Sequence, residues 1–391
     1  MKFRFFACLL SVSLCGLLAC SSNNNGVAST VGTGTLYIAA QGDNSLTAYS
    51  VALSNGSLTQ LGAAQSTGSS PFAIALSPAR NALFVNNTVS ETVSSYTINS
   101  DGSLTAGTGT VKTGVMPMGM VIDPLGRFLF VANQGSSTIS MFSISGATLK
   151  EVAGSPFTTI PAGTTVPTGP SAVAVSATGN FLYVANMFTD TVSGYSISAK
   201  GLTALGTSPF AVGLAPSALA IPPSGAFLYV ANTGTDNISA FNICDMVVSS
   251  CADANNPNGN LTAVAGSPFS DGGSPVAIAI DPAFDFLYVL DKTSDEISGF
   301  AYGTGSGVLT PLSVTPTVAT GQAPASFVIV SGTTGTNIGS TLTNPTDFVY
   351  VVNNESSTLS VFTLNTTTGA LATLGLAAQT SVNPTAVAAV N

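Results

Sequence analysis

Histidine is absent from this chain, tryptophan with it, and Asp, Glu, Lys and Arg together make up only 6% of its 391 residues. The first absence removes the commonest general base and metal ligand, so neither a Ser-His or Cys-His nucleophile nor an HExxH zinc site can be built. GxSxG, the phosphate-binding glycine loop and the EF-hand loop are missing as well. Cations are scarce. Setting aside Lys2 and Arg4 near the start leaves 17 acidic side chains against 6 basic ones, a balance of −11 where the whole chain carries −9. A nucleic-acid partner needs the opposite sign and a basic patch, and anionic phosphates are disfavoured for the same reason. Ser, Thr, Gly and Asn fill the polar positions, unlike an ordinary cytosolic surface. Beyond the first twenty residues there is no uninterrupted apolar run of about 18, the length a spanning helix needs.

Residues 1–20, MKFRFFACLLSVSLCGLLAC, place two cations before an apolar run, the pattern of an export signal. Leu17, Leu18, Ala19 and Cys20 resemble the lipobox of bacterial lipoproteins, which makes Cys20 the expected lipidation site and the membrane a partner through that anchor. The alternative is an ordinary signal cut nearby with Cys20 left as a core cysteine. Ser21 follows the cysteine, and by analogy with the lipoprotein sorting rule this favours the outer membrane, periplasm or cell surface. Residues 21–34 are small and polar and read as a flexible tether. Cys244 and Cys251 are the two cysteines left in the body, and in an exported chain that pair reads as a local disulfide.

From Thr35 to Asn391 the sequence repeats itself. The stretch FLYVANMFTDTVSGYSI at Phe181 has counterparts beginning at Thr35, Ala82, Phe128, Phe227, Phe286 and Phe348, seven copies spaced by 47, 46, 53, 46, 59 and 62 residues. Each copy holds an apolar run, a turn and an alternating run, which is a β-hairpin. A more polar strand follows, beginning near Leu58, Leu104, Leu149, Leu202, Leu261, Leu309 and Leu371. An octet opening on proline completes the unit, as in PFAIALSP at Pro71 or PVAIAIDP at Pro275, and its third residue is always Ala, Gly or Ser. Small side chains at that position mark the strand that crowds a central axis. Four antiparallel strands repeated seven times predict an all-β, seven-bladed propeller. The first copy opens on its second strand while the chain finishes on an octet, Pro384 to Asn391, so the C-terminal inner strand is expected to complete the N-terminal blade.

The strand pair LYVAN–TVSxY, the GSPF segments at Gly154–Phe157 and Gly266–Phe269, and the PxAIAIxP octets resemble the seven-bladed lactonase family, similar to 6-phosphogluconolactonases and to YVTN-repeat propellers. The resemblance covers the whole body and implies the propeller fold and a polar cleft at the mouth of the channel carrying His, Arg and acidic groups. No histidine exists here to carry over, and Arg80 and Arg127 fall in turns at the opposite face. The acidic and amide residues are what remain. Asn87, Asn133, Asn186, Asn232, Asp291 and Asn353 end the second strands in a ring broken by Ala40, and form a candidate ligand-binding set. Asn at a strand end commonly bonds the adjacent turn, so a structural role is the competing reading. Asp291 alone departs from asparagine and is the best single candidate for a functional acid. No metal site is evident, although a hard cation such as Ca²⁺ could be held by Asp, Asn and backbone oxygens to assist lactone opening.

The expected function is a lipid-anchored binding or interaction module of the cell envelope, monomeric, meeting an unidentified protein or carbohydrate. The alternative is an exported lactonase or related hydrolase, with metal assistance.

Overall fold

A computed structural model describes residues 33–245, 258–281, 286–332, 346–375 and 378–390. The segments expected to form the signal, the lipidation site Cys20 and nearly all of the tether lie outside them, as do Cys251 and residues 333–345. The remainder is all β, in seven antiparallel sheets. Blade 4 is representative: an inner strand Pro170–Val175, a second strand Phe181–Asn186, a third strand Thr191–Ser198, and an outer strand beginning Gly201–Ala204. Blades are numbered from the one containing Thr33–Ala40, whose inner strand is supplied by Pro384–Val390 at the far end of the chain. Thr35 faces Val390 and Ala40 faces Pro384 across that closing ladder. The N-terminal strand therefore presents no open edge that another chain could extend.

The second strands of blades 2 to 6 are buried at every position, because sheets pack against both of their faces. Apolar clusters lie between blades, one at each of the seven junctions. Phe128, Phe130 and Ile139 of blade 3 pack with Val173, Leu182 and Val184 of blade 4, for example. Stability thus resides chiefly between neighbours, as in other repeat proteins. The third octet position is small for a measurable reason: a Cβ on Gly119 would lie 2.7 Å from the Ala172 Cα of the next inner strand.

Two local devices tie blade to blade. In blades 1, 4, 5, 6 and 7 the tyrosine at the centre of the second strand donates its hydroxyl to a glycine carbonyl in the outer turn of the following blade. The pairs are Tyr37 to Gly102 (3.0 Å), Tyr183 to Gly259 (2.9 Å), Tyr229 to Gly307 (3.0 Å), Tyr288 to Gly369 (2.7 Å) and Tyr350 to Gly56 (2.8 Å). Each of these glycines has a positive φ, which a side chain would strain. Each latch adds a hydrogen bond to the apolar packing between neighbouring blades. The second device sits in the inner strands, whose register slips after the proline, as between Pro170 and Ala172. The residue skipped by this bulge turns toward the next blade. Ser171, Ser217 and Thr385 use it to donate to the carbonyls of Pro216 (2.6 Å), Pro275 (2.8 Å) and Pro71 (2.7 Å).

The outer strand differs from expectation. It is continuous only in blade 2, Leu104–Lys112, and elsewhere splits into two short pieces that both pair with the third strand. In blades 3, 4 and 5 the break falls at Ser-Pro, where proline removes a backbone donor. The serine hydroxyl takes over part of the ladder, accepting from the N–H of Met141 (3.0 Å), Gly194 (3.0 Å) and Ala240 (2.8 Å).

Candidate functional site

Inner strands start on one face of the ring, here called upper, where the turns between second and third strands also lie. The asparagine ring ends the second strands beneath this face. Asn87, Asn133, Asn186, Asn232 and Asn353 are each 0% exposed. Their amide nitrogens point inward along the hairpin. Asn133 donates to Thr138 (3.1 Å) and Ser140 (3.0 Å), Asn186 to Thr191 and Ser193, Asn353 to Thr358 and Ser360, and Asn87 and Asn232 make the same pair of bonds in their blades. A buried amide has to be bonded, and this lock does so for the nitrogen while pinning the hairpin turn; the Oδ1 of Asn133, Asn186 and Asn232 has no donor among the described residues. A ligand reaching these five residues would have to open the blade.

Three acidic residues of the adjoining turns are also occupied. Asp190 accepts the N–H of Ala215 (2.8 Å) and Asp295 that of Ala323 (2.8 Å), each supporting the loop that enters the next blade. Asp43 accepts from Ser45.

Blade 6 breaks the pattern. Asp291 replaces asparagine and reverses the lock, with Ser298 now donating to Oδ2 at 2.7 Å. Across from it, on the loop entering blade 6, stands Asp271. Four other blades have threonine at that position, and Thr67, Thr113, Thr320 and Thr380 all donate to the carbonyl of the next residue. Sequence reasoning found Asp291 and missed Asp271, although the same comparison of repeats, taken four residues before the octet proline, would have exposed it.

The two carboxyls meet. Asp291 is 1% exposed and Asp271 half-buried. Its buried Oδ1, and both oxygens of Asp271, have no donor among the described residues. The remaining way for the pair to bond is for one carboxyl to keep a proton and give it to the other. Burial, that shared hydrogen bond and the negative charges of Asp291 and Asp236 push Asp271 up to about 9. Burial raises Asp291 as well, against the opposing effect of hydrogen bonds from Asp271 and Ser298. Like charges this close cannot both ionise cheaply, so the pair holds one proton near neutrality. Such a pair can offer a carboxylate to activate water and a carboxylic acid to protonate an oxygen. Among the described residues no three His, Cys, Asp or Glu side chains converge as a metal centre does.

The lower face holds the two body arginines. Arg127 is paired with Asp123 at 2.7 Å and reaches the carbonyl of Gly179 in blade 4. Arg80 lines a cavity of about 330 Å³ at the lower mouth of the channel, with Leu76, Ser77, Pro78, Ile329, Ala389 and Val390. Neither comes near the carboxyl pair. Cys244, at the end of the third strand of blade 5, is disulfide-bonded.

Comparison with known proteins points one way. The family model for the lactonase, a seven-bladed β-propeller, matches residues 23–114, 73–156, 149–246 and 261–388. No curated protein matches the sequence. A crystal structure of a candidate 6-phosphogluconolactonase from Bacteroides fragilis is similar with a TM-score of 0.72 at 18% identity, covering 94% of this chain and 100% of that one. The periplasmic gluconolactonase PpgL of Pseudomonas aeruginosa gives 0.73 at 20% identity, covering 92% and 99%. A protein from Lactobacillus plantarum gives 0.70 at 18%, covering 92% and 100%. At these identities the likeness is one of fold.

Proposed function

Since the chain belongs to the seven-bladed lactonase family, we propose that it is a lactone hydrolase whose acid-base chemistry comes from Asp271 and Asp291 at the entrance to blade 6. The observation that carries this reading is the buried carboxyl pair, present where four other blades have the threonine and five the asparagine. Asp271, the less buried member, meets the substrate. Asp291 lies behind it and positions the shared proton.

Water attacks the lactone carbonyl carbon and passes a proton to the ionised carboxylate while the protonated carboxyl donates to the carbonyl oxygen. This forms a neutral tetrahedral adduct. Its collapse breaks the ring C–O bond: one adduct hydroxyl returns its proton to the pair as the carbonyl re-forms, and the departing ring oxygen takes a proton from the pair, giving the hydroxy acid. One water is consumed and the pair ends with the single proton it began with. Protonating the carbonyl oxygen replaces the cationic oxyanion support that this chain cannot provide. Six cations in the whole body, two of them arginines on the lower face, also speak for an uncharged lactone over a phosphorylated one. Resemblance to a periplasmic gluconolactonase and the signal-like N-terminus support an exported, lipid-anchored enzyme working in the envelope.

Hydrolysis of a panel of γ- and δ-lactones tests this reading, with the Asp271→Asn and Asp291→Asn variants beside the native chain. Turnover by the native protein with a bell-shaped pH profile, lowered about 10²- to 10⁴-fold in Asp271→Asn, is expected. In Asp291→Asn the alkaline limb of the profile should move or vanish, which a merely structural residue would not cause. Unchanged rates in both variants would reject the assignment.

A further inference from the structure

Ten large apolar side chains are strongly exposed among the described residues, and eight of them lie on the upper face; Leu125, in a lower turn, and Val314, in an outer loop, are the exceptions. That bias is too strong for scattered surface residues, which monomers show everywhere. The side chains are also ordered around the ring. Val115 and Met116 enter blade 3, Val166 enters blade 4, Phe188 sits on the turn of blade 4, and Leu214 enters blade 5. The next entrance carries Asp271.

Hydrogen bonds to the backbone link the segments that carry Val166, Phe188 and Leu214 to the segment of Asp271. Phe188 N–H donates to the carbonyl of Thr168 in the loop that carries Val166 (3.0 Å). Asp190, on the same turn as Phe188, holds Ala215 beside Leu214 (2.8 Å). Leu214 accepts from Gly234 (2.9 Å), two residues from Asp236, and Asp236 in turn accepts from Asp271 N–H (3.2 Å). Phe188 is 56% and Leu214 52% exposed, so the hydrocarbon is available at the surface. Asp190 and Asp236 border the arc, a charge pattern that repels an anionic substrate.

Building on the hydrolase reading above, we propose that the substrate is an uncharged lactone bearing a hydrocarbon arm, with the ring at Asp271 and the arm lying over Leu214 and Phe188. An aliphatic arm along this arc would gain roughly two- to fourfold in affinity per methylene, given about 0.8 kcal/mol for each one fully buried. A sugar lactone, hydroxylated around its ring, gains nothing there.

The test measures kcat/KM for δ-valerolactone, δ-octalactone, δ-decalactone and δ-dodecalactone, with gluconolactone and 6-phosphogluconolactone for comparison. In parallel, calorimetry follows binding of the corresponding alkyl δ-lactams, which are not readily hydrolysed, to the native protein and to Asp291→Asn. A rise of at least tenfold from the five-carbon to the twelve-carbon lactone, flattened by Leu214→Ser and Phe188→Ser and untouched by Leu125→Ser on the lower face, is expected. Turnover that is flat with chain length, or best with gluconolactone, overturns the proposal while leaving the hydrolase reading intact. If nothing is hydrolysed, the hydrolase reading fails and the lactams decide: affinity rising with chain length upholds the apolar subsite, and equal affinities overturn it.

Discussion

Blades 4 and 6 share strand order, register and packing, and differ at two facing positions on the upper rim. In blade 4 the buried Asn186 donates two hydrogen bonds, and the loop entering that blade, residues 159–169, carries no carboxyl. In blade 6 those places belong to Asp291 and Asp271. One atom exchanged in a side chain turns a donor that closes a hairpin into an acid that requires a proton. The scaffold tolerates this because the rest of the blade is held independently, by its apolar junctions and by the Tyr288 latch. A repeat architecture can thus specialise a single unit without disturbing its neighbours.

The comparison can be broken most severely through Asp271. Replacing it with threonine, the residue of four other blades, should leave a folded ring that has lost lactone turnover by about a thousandfold, measured as kcat/KM; that corresponds to roughly 4 kcal/mol of transition-state stabilisation. The converse change, Asn186→Asp, puts a carboxyl into blade 4 without a second one to share its proton. It should cost roughly 3 kcal/mol in urea unfolding, as an uncompensated buried charge does, and create no activity.

Asp291→Asn should restore the ordinary lock and raise the melting temperature at pH 8 by about 2–5 °C, trading function for stability. The native protein should show the matching pH trend. Both carboxyls bind their protons more tightly in the folded state than the ordinary value near 4, so between about pH 4 and 9 the folded chain holds more protons than the unfolded one. Their contribution to stability is complete at low pH and is lost as pH rises through that window. Melting curves from pH 5 to 9 should fall more steeply for the native chain than for Asp291→Asn. The smallest change is Tyr288→Phe, which removes a latch that blades 2 and 3 already lack, having Phe84 and Phe130 there. A loss of about 1 kcal/mol in unfolding free energy, with kinetics unchanged, would show blade 6 to be ordinary away from its rim.

How much of this is legible in the sequence follows from what repeats and what does not. Seven copies of one hairpin, an octet with a small third residue, and a mismatch between first and last units dictate the ring and its closure. The split outer strand escapes notice because Ser155, Ser208 and Ser267 substitute a hydroxyl for a ladder bond, a three-dimensional accommodation with no periodic trace. The asparagine ring is visible as a pattern, yet its burial is not, since the Thr and Ser partners look like alternating surface residues. Asp271 is hidden for another reason: it lies twenty residues before Asp291, on a loop that reads as a turn, and acquires significance only when two blades meet.

The closing ladder between Thr33–Ala40 and Pro384–Val390 also sets a schedule. A chain made from its N-terminus presents the first blade long before its innermost strand exists, and the contacts that finish it join residues as distant as Thr385 and Pro71. During synthesis, the partly built ring keeps one raw edge and one uncovered apolar face. Only the strand Pro384–Val390 removes both. A ribosome that stops short of Pro384 would release a protein with six complete blades and a standing invitation to aggregate.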